Sequence, residues 1–91
     1  MAEFKDNEAA SRFELLEAGA MVRADYRRAG DVVAITHVET PPALRGQGAA
    51  ERLMDAVVAN ARAEGFKLRA RCPYAAHYFE THSEAADVIA A

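Results

Sequence analysis

The chain has little of what staples a protein or anchors it in a membrane. Its single cysteine, Cys72, cannot form an internal disulfide, so a reducing, cytoplasmic setting is expected. No apolar stretch approaches the roughly 20 residues of a membrane-crossing helix, and the opening segment MAEFKDNEAASRFE lacks the apolar centre of a secretion signal. No membrane partner is expected. Positive charge is sparse and scattered: 11 Lys and Arg stand against 14 Asp and Glu, giving a net charge of -3, and no adjacent basic run exceeds two residues. That balance argues against a nucleic-acid partner. The lone cysteine has no HxxxH or HExxH spacing to accompany it, so no metal site is expected.

What is present suffices for one small domain, taken as residues 1–91. Its first ten residues can be read as a flexible segment or as an extra strand or turn. Hydrophobic residues form 52% of the chain, enough for a folded core. Around Ser11 to Glu17, Phe13 and Leu15 alternate with Glu14, which predicts a half-buried strand. Ala18-Gly19 breaks it. From Ala20 to Arg27, Val22, Ala24 and Tyr26 alternate with Arg23, Asp25 and Arg27, and Ala29-Gly30-Asp31 makes the next turn. Val32 to Val38 is apolar at nearly every position and rich in β-branched residues, which predicts a central strand covered on both faces. A helix follows over 46–64 with Ala50, Leu53, Met54, Val57 and Ala61 on its buried face, closed by Gly65 as a left-handed cap. Lys67 to Arg71 reads as a short strand, Pro73 opens a second helix, and a short final helix carries Ala86, Val88 and Ile89. The order β-β-β-α-β-α predicts an α+β fold. Its sheet is mixed and mostly antiparallel, with one parallel pair joined by a right-handed crossover.

The stretch PPALRGQGAAERLMDAV, residues 41–57, joins the end of the central strand to the long helix. The first amides of a helix lack internal partners and carry partial positive charge. Gly46 and Gly48 let a ligand approach them, Arg45 adds a forked cation, and Ala49 and Ala50 keep the approach narrow. These features suit a diphosphate. Two other phosphate loops do not fit. Ala49-Ala50 stands where the P-loop has Lys-Ser/Thr, and Glu51 stands where the dinucleotide fingerprint has its third glycine.

RGQGAA resembles the acetyl-CoA motif of the GNAT superfamily of N-acetyltransferases, with Arg45, Gly48 and Ala50 at its three defining positions. THVETPPALRGQGAAERL, RCPY and THSEAADVI together resemble the small single-domain N-acetyltransferase-like subgroup of that superfamily over residues 11–89. The resemblance implies an acyl-CoA N-acyltransferase-like fold whose parallel pair splays to receive acetyl-CoA or CoA. It implies that amides from Arg45 through Gly46, Gln47, Gly48 and Ala49 to Ala50 hold the pyrophosphate. It further implies that Val38, Glu39 and Thr40 pair with the pantetheine arm and that the thioester points toward Cys72. The implied reaction moves an acetyl group to an amine whose identity the sequence leaves open. A non-catalytic or weakly catalytic CoA-binding module is the alternative, because ordinary members carry extra helices that build an acceptor site. A monomer or a weak homodimer is expected.

Several residues have chemistry to offer there. Cys72 precedes a helix, where a thiol is activated by the helix terminus; it could accept an acetyl group, act as a base, or pack as a small hydrophobe. Glu39 follows the central strand and could deprotonate an acceptor ammonium, or stand as an exposed loop glutamate. Tyr74 and Tyr78, four apart, offer one hydroxyl to line the channel or protonate a leaving thiolate; core packing is the equal alternative. His37 reads as a hydrogen-bonded sheet residue rather than a base.

Overall fold

A computed structural model describes residues 3–90. Five strands form one sheet in the order of the chain: β1 (Glu3–Asn7), β2 (Arg12–Glu17), β3 (Ala20–Ala29), β4 (Val32–Glu39) and β5 (Lys67–Ala70). Helix α1 (Ala49–Glu64) crosses from β4 to β5, and α2 (Pro73–Thr81) follows β5. Short 3-10 turns occupy Glu8–Ala10, Pro42–Leu44 and Ser83–Val88. Residues 3–10 are thus a strand and a turn, which adds a fifth strand to the predicted order; residues 1 and 2 of the predicted flexible or extra segment lie outside the described residues.

The first four strands pair antiparallel through tight turns, two of which contain glycines with positive φ, Gly19 (77°) and Gly30 (59°). β4 and β5 pair in parallel from Val32 opposite Lys67 to Ile35 opposite Ala70. Alternate residues of these strands turn to one face. Phe13, Leu15, Val22, Ala24, Tyr26, Val33, Ile35 and Leu68 are buried there against Leu53, Met54, Val57, Val58 and Ala61 of α1 and Ala75 and Tyr78 of α2. α1 starts three residues later than predicted, and Ala49 rather than Ala50 joins its fully buried set, four residues before Leu53 on the same face.

β4 corrects the expectation of a strand buried on both faces. Val33 and Ile35 are buried, whereas Ala34 and Thr36 are half-buried and His37 is exposed. The cause is a two-layer architecture in which both helices interlock on one side of the sheet. The Tyr78 hydroxyl donates to Asp55 Oδ1 (2.6 Å) and Arg62 reaches Asp87 (2.7 Å), tying α2 and the last turn to α1. The apolar run reflects β-branched packing on a partly screened outer face rather than a second layer of helices.

The helix ends are defined by glycine. Gly65 takes φ 84°, and its amide and that of Phe66 both return to the Ala61 carbonyl (2.9 and 3.1 Å), which drops Phe66 into the core at 2% exposure. The expected final helix is a 3-10 segment instead. Ile89 bridges to Leu68, so the chain end lies along β5 rather than continuing as a helix.

Leu53 is fully buried and Leu16 is 44% exposed on the outer face. Leu53→Ala is expected to lower unfolding free energy by about 3 kcal/mol through cavity formation, and Leu16→Ala to change it by no more than about 0.5 kcal/mol; urea denaturation of both variants checks the contrast.

Candidate cofactor site at the start of helix α1

The site begins with a fault in the sheet. Asp25 pairs with His37 and Tyr26 pairs with Ile35, so Thr36 is an extra residue in β4 and its hydroxyl donates to the Asp25 carbonyl (3.2 Å). This bulge reverses the facing of the residues beyond it. Val38 turns to the core side and packs against the core, and His37 turns to the outer face. The same point ends the parallel ladder. Its last rung is the Arg71 amide donating to the Ile35 carbonyl (2.8 Å), and Thr36 to Glu39 continue with β3 as their only strand partner among the described residues.

The chain then turns at Pro41 and a 3-10 turn delivers Arg45 to the gap. Gly46 (φ 76°) and Gly48 (φ 77°) both lie in the left-handed region, and Gly48 is the N-cap of α1. A glycine cap has no side chain to satisfy the helix amides, and among the described residues the amides of Gly48, Ala49, Ala50 and Glu51 have no acceptor within the chain. A Cβ on Gly48 would sit 3.1 Å from Arg52 Nη1. That guanidinium holds the turn from behind: it donates to the Gln47 carbonyl (2.8 Å) and forms a two-pronged pair with Glu17 (2.7 and 2.8 Å).

A cavity of about 240 Å³ opens over these amides, lined by Thr40, Leu44, Arg45, Gly46, Gly48, Ala49, Ala50, Glu51 and Tyr74. Seven of the residues singled out in the sequence as cofactor-binding therefore meet at one place: Thr40, Arg45, Gly46, Gly48, Ala49, Ala50 and Tyr74. Gln47, Val38, Glu39, Cys72 and Tyr78 lie outside the lining. Gln47 turns its amide to the Ala43 carbonyl (2.9 Å). Cys72 is half-buried and caps α2, its sulfur accepting from the Ala75 amide at 3.4 Å. Tyr78 is a packing residue. Its hydroxyl is committed to Asp55, and burial together with that carboxylate pushes its pKa well up. Tyr74, half-buried, is the tyrosine that lines the cavity, and burial first, then the Glu51 and Asp55 carboxylates, raise its pKa, keeping it protonated at neutral pH. A larger depression of about 420 Å³ lies over β1–β3 among Glu3, Phe4, Lys5, Glu14, Leu16 and Met21, but it has neither a free helix terminus nor a glycine turn.

Glu39 is exposed at the end of β4. His37 Nε2 lies 3.0 Å from one of its oxygens and Arg45 Nη2 lies 3.9 Å from the other. The hydrogen bond with His37, aided by the charges of His37, Arg23 and Arg45, holds its carboxyl below the usual range. Leu44 lines the cavity without having been singled out in the sequence, and two charged residues at the site were likewise missed: Arg52, which braces the turn, and Glu51, which lines the cavity. Both fall on the polar face of the α1 pattern; the available signal was Glu51 as the third residue of a helix with no Ser, Thr, Asp or Asn cap.

A family model described as GCN5-related N-acetyl-transferase matches residues 12–88. The chain belongs to this family. Among solved structures, a GCN5-like candidate N-acetyltransferase from Staphylococcus aureus, determined in solution by NMR, is similar to it at 30% identity and a TM-score of 0.74. The match covers 97% of this chain and 87% of that one. No match is found among curated proteins. The GCN5-related family generally uses acetyl-CoA, and the residues here fit the diphosphate of such a cofactor. They supply uncapped amides at a helix start, backbone exposed by two glycines, an exposed arginine fork and a turn that a Cβ at Gly48 would crowd.

Gly46→Ala and Gly48→Ala each place a Cβ in left-handed backbone, at a cost of about 1–2 kcal/mol. Only Gly48→Ala also presses on Arg52, so it is expected to be the more destabilising of the two in chemical denaturation, and Arg52→Ala to shrink the difference.

Proposed function

We propose that the protein binds acetyl-CoA at the start of α1 and transfers its acetyl group to an amine. The observation that carries this reading is the meeting of a free helix terminus, Arg45 and the unpaired end of β4 in one cleft of a GCN5-related fold. When bound, acetyl-CoA supplies an acetyl thioester and a thiolate leaving group.

The chain's own residues divide the work. The backbone amides of Gly46, Gly48, Ala49 and Ala50 and the Arg45 guanidinium bind the diphosphate, the Gln47 amide being held by the Leu44 carbonyl (3.3 Å); helix dipole and charge act together there. Past the last rung to β5, Val38, Glu39 and Thr40 offer strand edge to the amides of the pantetheine arm, as a neighbouring strand would, once Arg45 Nε gives up the Thr40 carbonyl (3.2 Å) to turn to the diphosphate. Glu39 takes a proton from the acceptor ammonium, directly or through water, so that the nitrogen lone pair is free to attack. Its depressed pKa keeps it ionised, and therefore able to act as base, well into the acid range. Tyr74, protonated and at the cavity, is the group placed to return a proton to the departing sulfur. Cys72 stands at the mouth of α2 as a contact for the thioester, with acyl transfer through its sulfur as a less direct route.

A second reading, a CoA-binding module with little turnover, is favoured by the bare acceptor side. The turns joining β2 to β3 and β3 to β4 are two-residue connections, with no helix between them to build a pocket for an amine.

Isothermal titration with CoA is expected to show binding, and Arg45→Ala to weaken it about ten- to a hundredfold, the range for losing a hydrogen bond to a charged group. No binding at millimolar CoA would sink both readings. Release of CoA from acetyl-CoA across a panel of amines separates them: no amine-dependent release leaves only the binding module. If Glu39 is the base, Glu39→Gln lowers kcat/KM by about a hundredfold or more. The acid limb of the wild-type profile then lies below the ordinary glutamate range. His37→Ala, which removes the largest cause of the depression, moves that limb upward.

A further inference from the structure

His82, at the end of α2, lies flat on the Tyr78 ring, with centroids 3.9 Å apart and planes 12° apart, and its side chain is 18% exposed. Both of its ring nitrogens face acceptors. Nδ1 is 2.9 Å from the Tyr78 carbonyl, and Nε2 is 2.9 Å from Glu51 Oε2 on α1. The Thr81 hydroxyl, which also meets Nδ1 at 3.0 Å, is within donating distance of the carbonyls of His77 and Tyr78. A neutral imidazole has a single N–H and leaves one of these contacts lone pair to lone pair; the imidazolium satisfies both. In keeping with this, the Tyr78 carbonyl first, and then Glu51 and the Glu84 charge, raise the His82 pKa against an opposing effect of burial.

Glu51 is the third residue of α1, where a glutamate ordinarily folds back onto the amide of its own N-cap. Here that amide, on Gly48, is part of the cradle for the cofactor diphosphate. A carboxylate folded there would occupy the anion's place and repel it. Glu51 instead reaches away to His82. The other charged groups around the pair are already engaged: Arg52 with Glu17, Arg62 with Asp87, and Asp55 with the Tyr78 hydroxyl. Arg45, across the cavity, lies nearest Glu39.

We infer that protonated His82 is a positioning residue that holds the Glu51 carboxylate off the start of α1 and so keeps the diphosphate cradle open. This rests on the proposed binding of a CoA diphosphate at that cradle. Deprotonation removes the charge that holds the carboxylate, and in the neutral tautomer whose N–H stays on the Tyr78 carbonyl Nε2 has no proton; Glu51 is then released to cap its own helix, and the cradle closes to a polyanion. The sign follows from the raised pKa: the cradle is open below the His82 pKa and closes as pH rises through it, in a window displaced upward from that of an ordinary histidine.

Titration calorimetry with CoA at about pH 6, below the ordinary histidine value, and at about pH 9 spans that window. Wild type is expected to bind about tenfold more weakly at the higher pH, the equivalent of one pKa unit of linkage. His82→Gln shows the weaker binding at both values. Glu51→Gln binds tightly at both, and Glu51→Gln combined with His82→Gln recovers tight binding. Unchanged affinity in His82→Gln, or a double variant as weak as His82→Gln, overturns the inference and leaves His82 a packing residue. Should His82→Gln fail to fold, Glu51→Gln alone decides: a flat response supports the inference, and a retained pH dependence overturns it. Wild type that binds no CoA at either pH overturns the cradle and its gate together. NMR titration of the His82 imidazole without ligand tells these failures apart: its midpoint falls in Glu51→Gln if the pair exists, and an unmoved midpoint overturns the inference whatever CoA does.

Discussion

The last rung between β4 and β5, from the Arg71 amide to the Ile35 carbonyl, determines where the sheet of this small protein opens. Had the parallel ladder continued, the edge of β4 beyond Ile35 would have been consumed by β5. Instead the extra residue at Thr36 bends β4 toward β3, whose Asp25 carbonyl holds the Thr36 hydroxyl, and β5 leaves for α2. One strand end with free backbone, one helix start with free amides and the head of a second helix then converge. None of the three is unusual alone; the early end of the ladder sets them side by side.

The turn that supplies the helix amides is held by residues that do not line the cavity. Arg52 grips the Gln47 carbonyl and Glu17 at the end of β2, so the left-handed glycines are braced against the sheet. The Arg45 side chain, by contrast, is tethered among the described residues to the Thr40 carbonyl at 3.2 Å and at 3.9 Å to Glu39, which leaves its fork exposed. The two arginines follow from their elements: the one inside α1 is fixed by helical geometry, and the one before it stands on an irregular turn.

Much of this was legible in the residues. Alternation placed Val22, Ala24 and Tyr26 inside, Gly65 and Pro73 marked helix ends, and the motif around Arg45 located the cavity. The illegible parts share a cause, namely dependence on contacts between distant segments. A bulge at Thr36 leaves no mark in a run of apolar and β-branched residues, so β4 read as doubly covered. Tyr74 and Tyr78 could not be told apart by spacing, because only Asp55 on α1 draws one hydroxyl into the helix interface. Glu51 looked like solvated surface because its partner, His82, lies 31 positions away. The first ten residues were ambiguous because an edge strand needs a neighbour, and the pairing of Phe4 with Leu15 is what makes one.

The Leu68–Ile89 bridge has a consequence for the sheet as a whole. An open sheet has two borders, and each is a template on which a stranger's backbone can grow. At the β5 border the chain's own end takes that position: the Ala90 amide donates to the Leu68 carbonyl at 2.8 Å, while Lys67 Nζ donates to the Asp87 carbonyl at 2.6 Å. The border is thereby plugged at its most buried residue. The opposite border, at β1, is guarded by composition instead, since Glu3, Lys5 and Asp6 put charge on a strand of five residues. The sheet thus resists unwanted extension by the residues bridged to Leu68 on one side and by charged side chains, costly to desolvate, on the other.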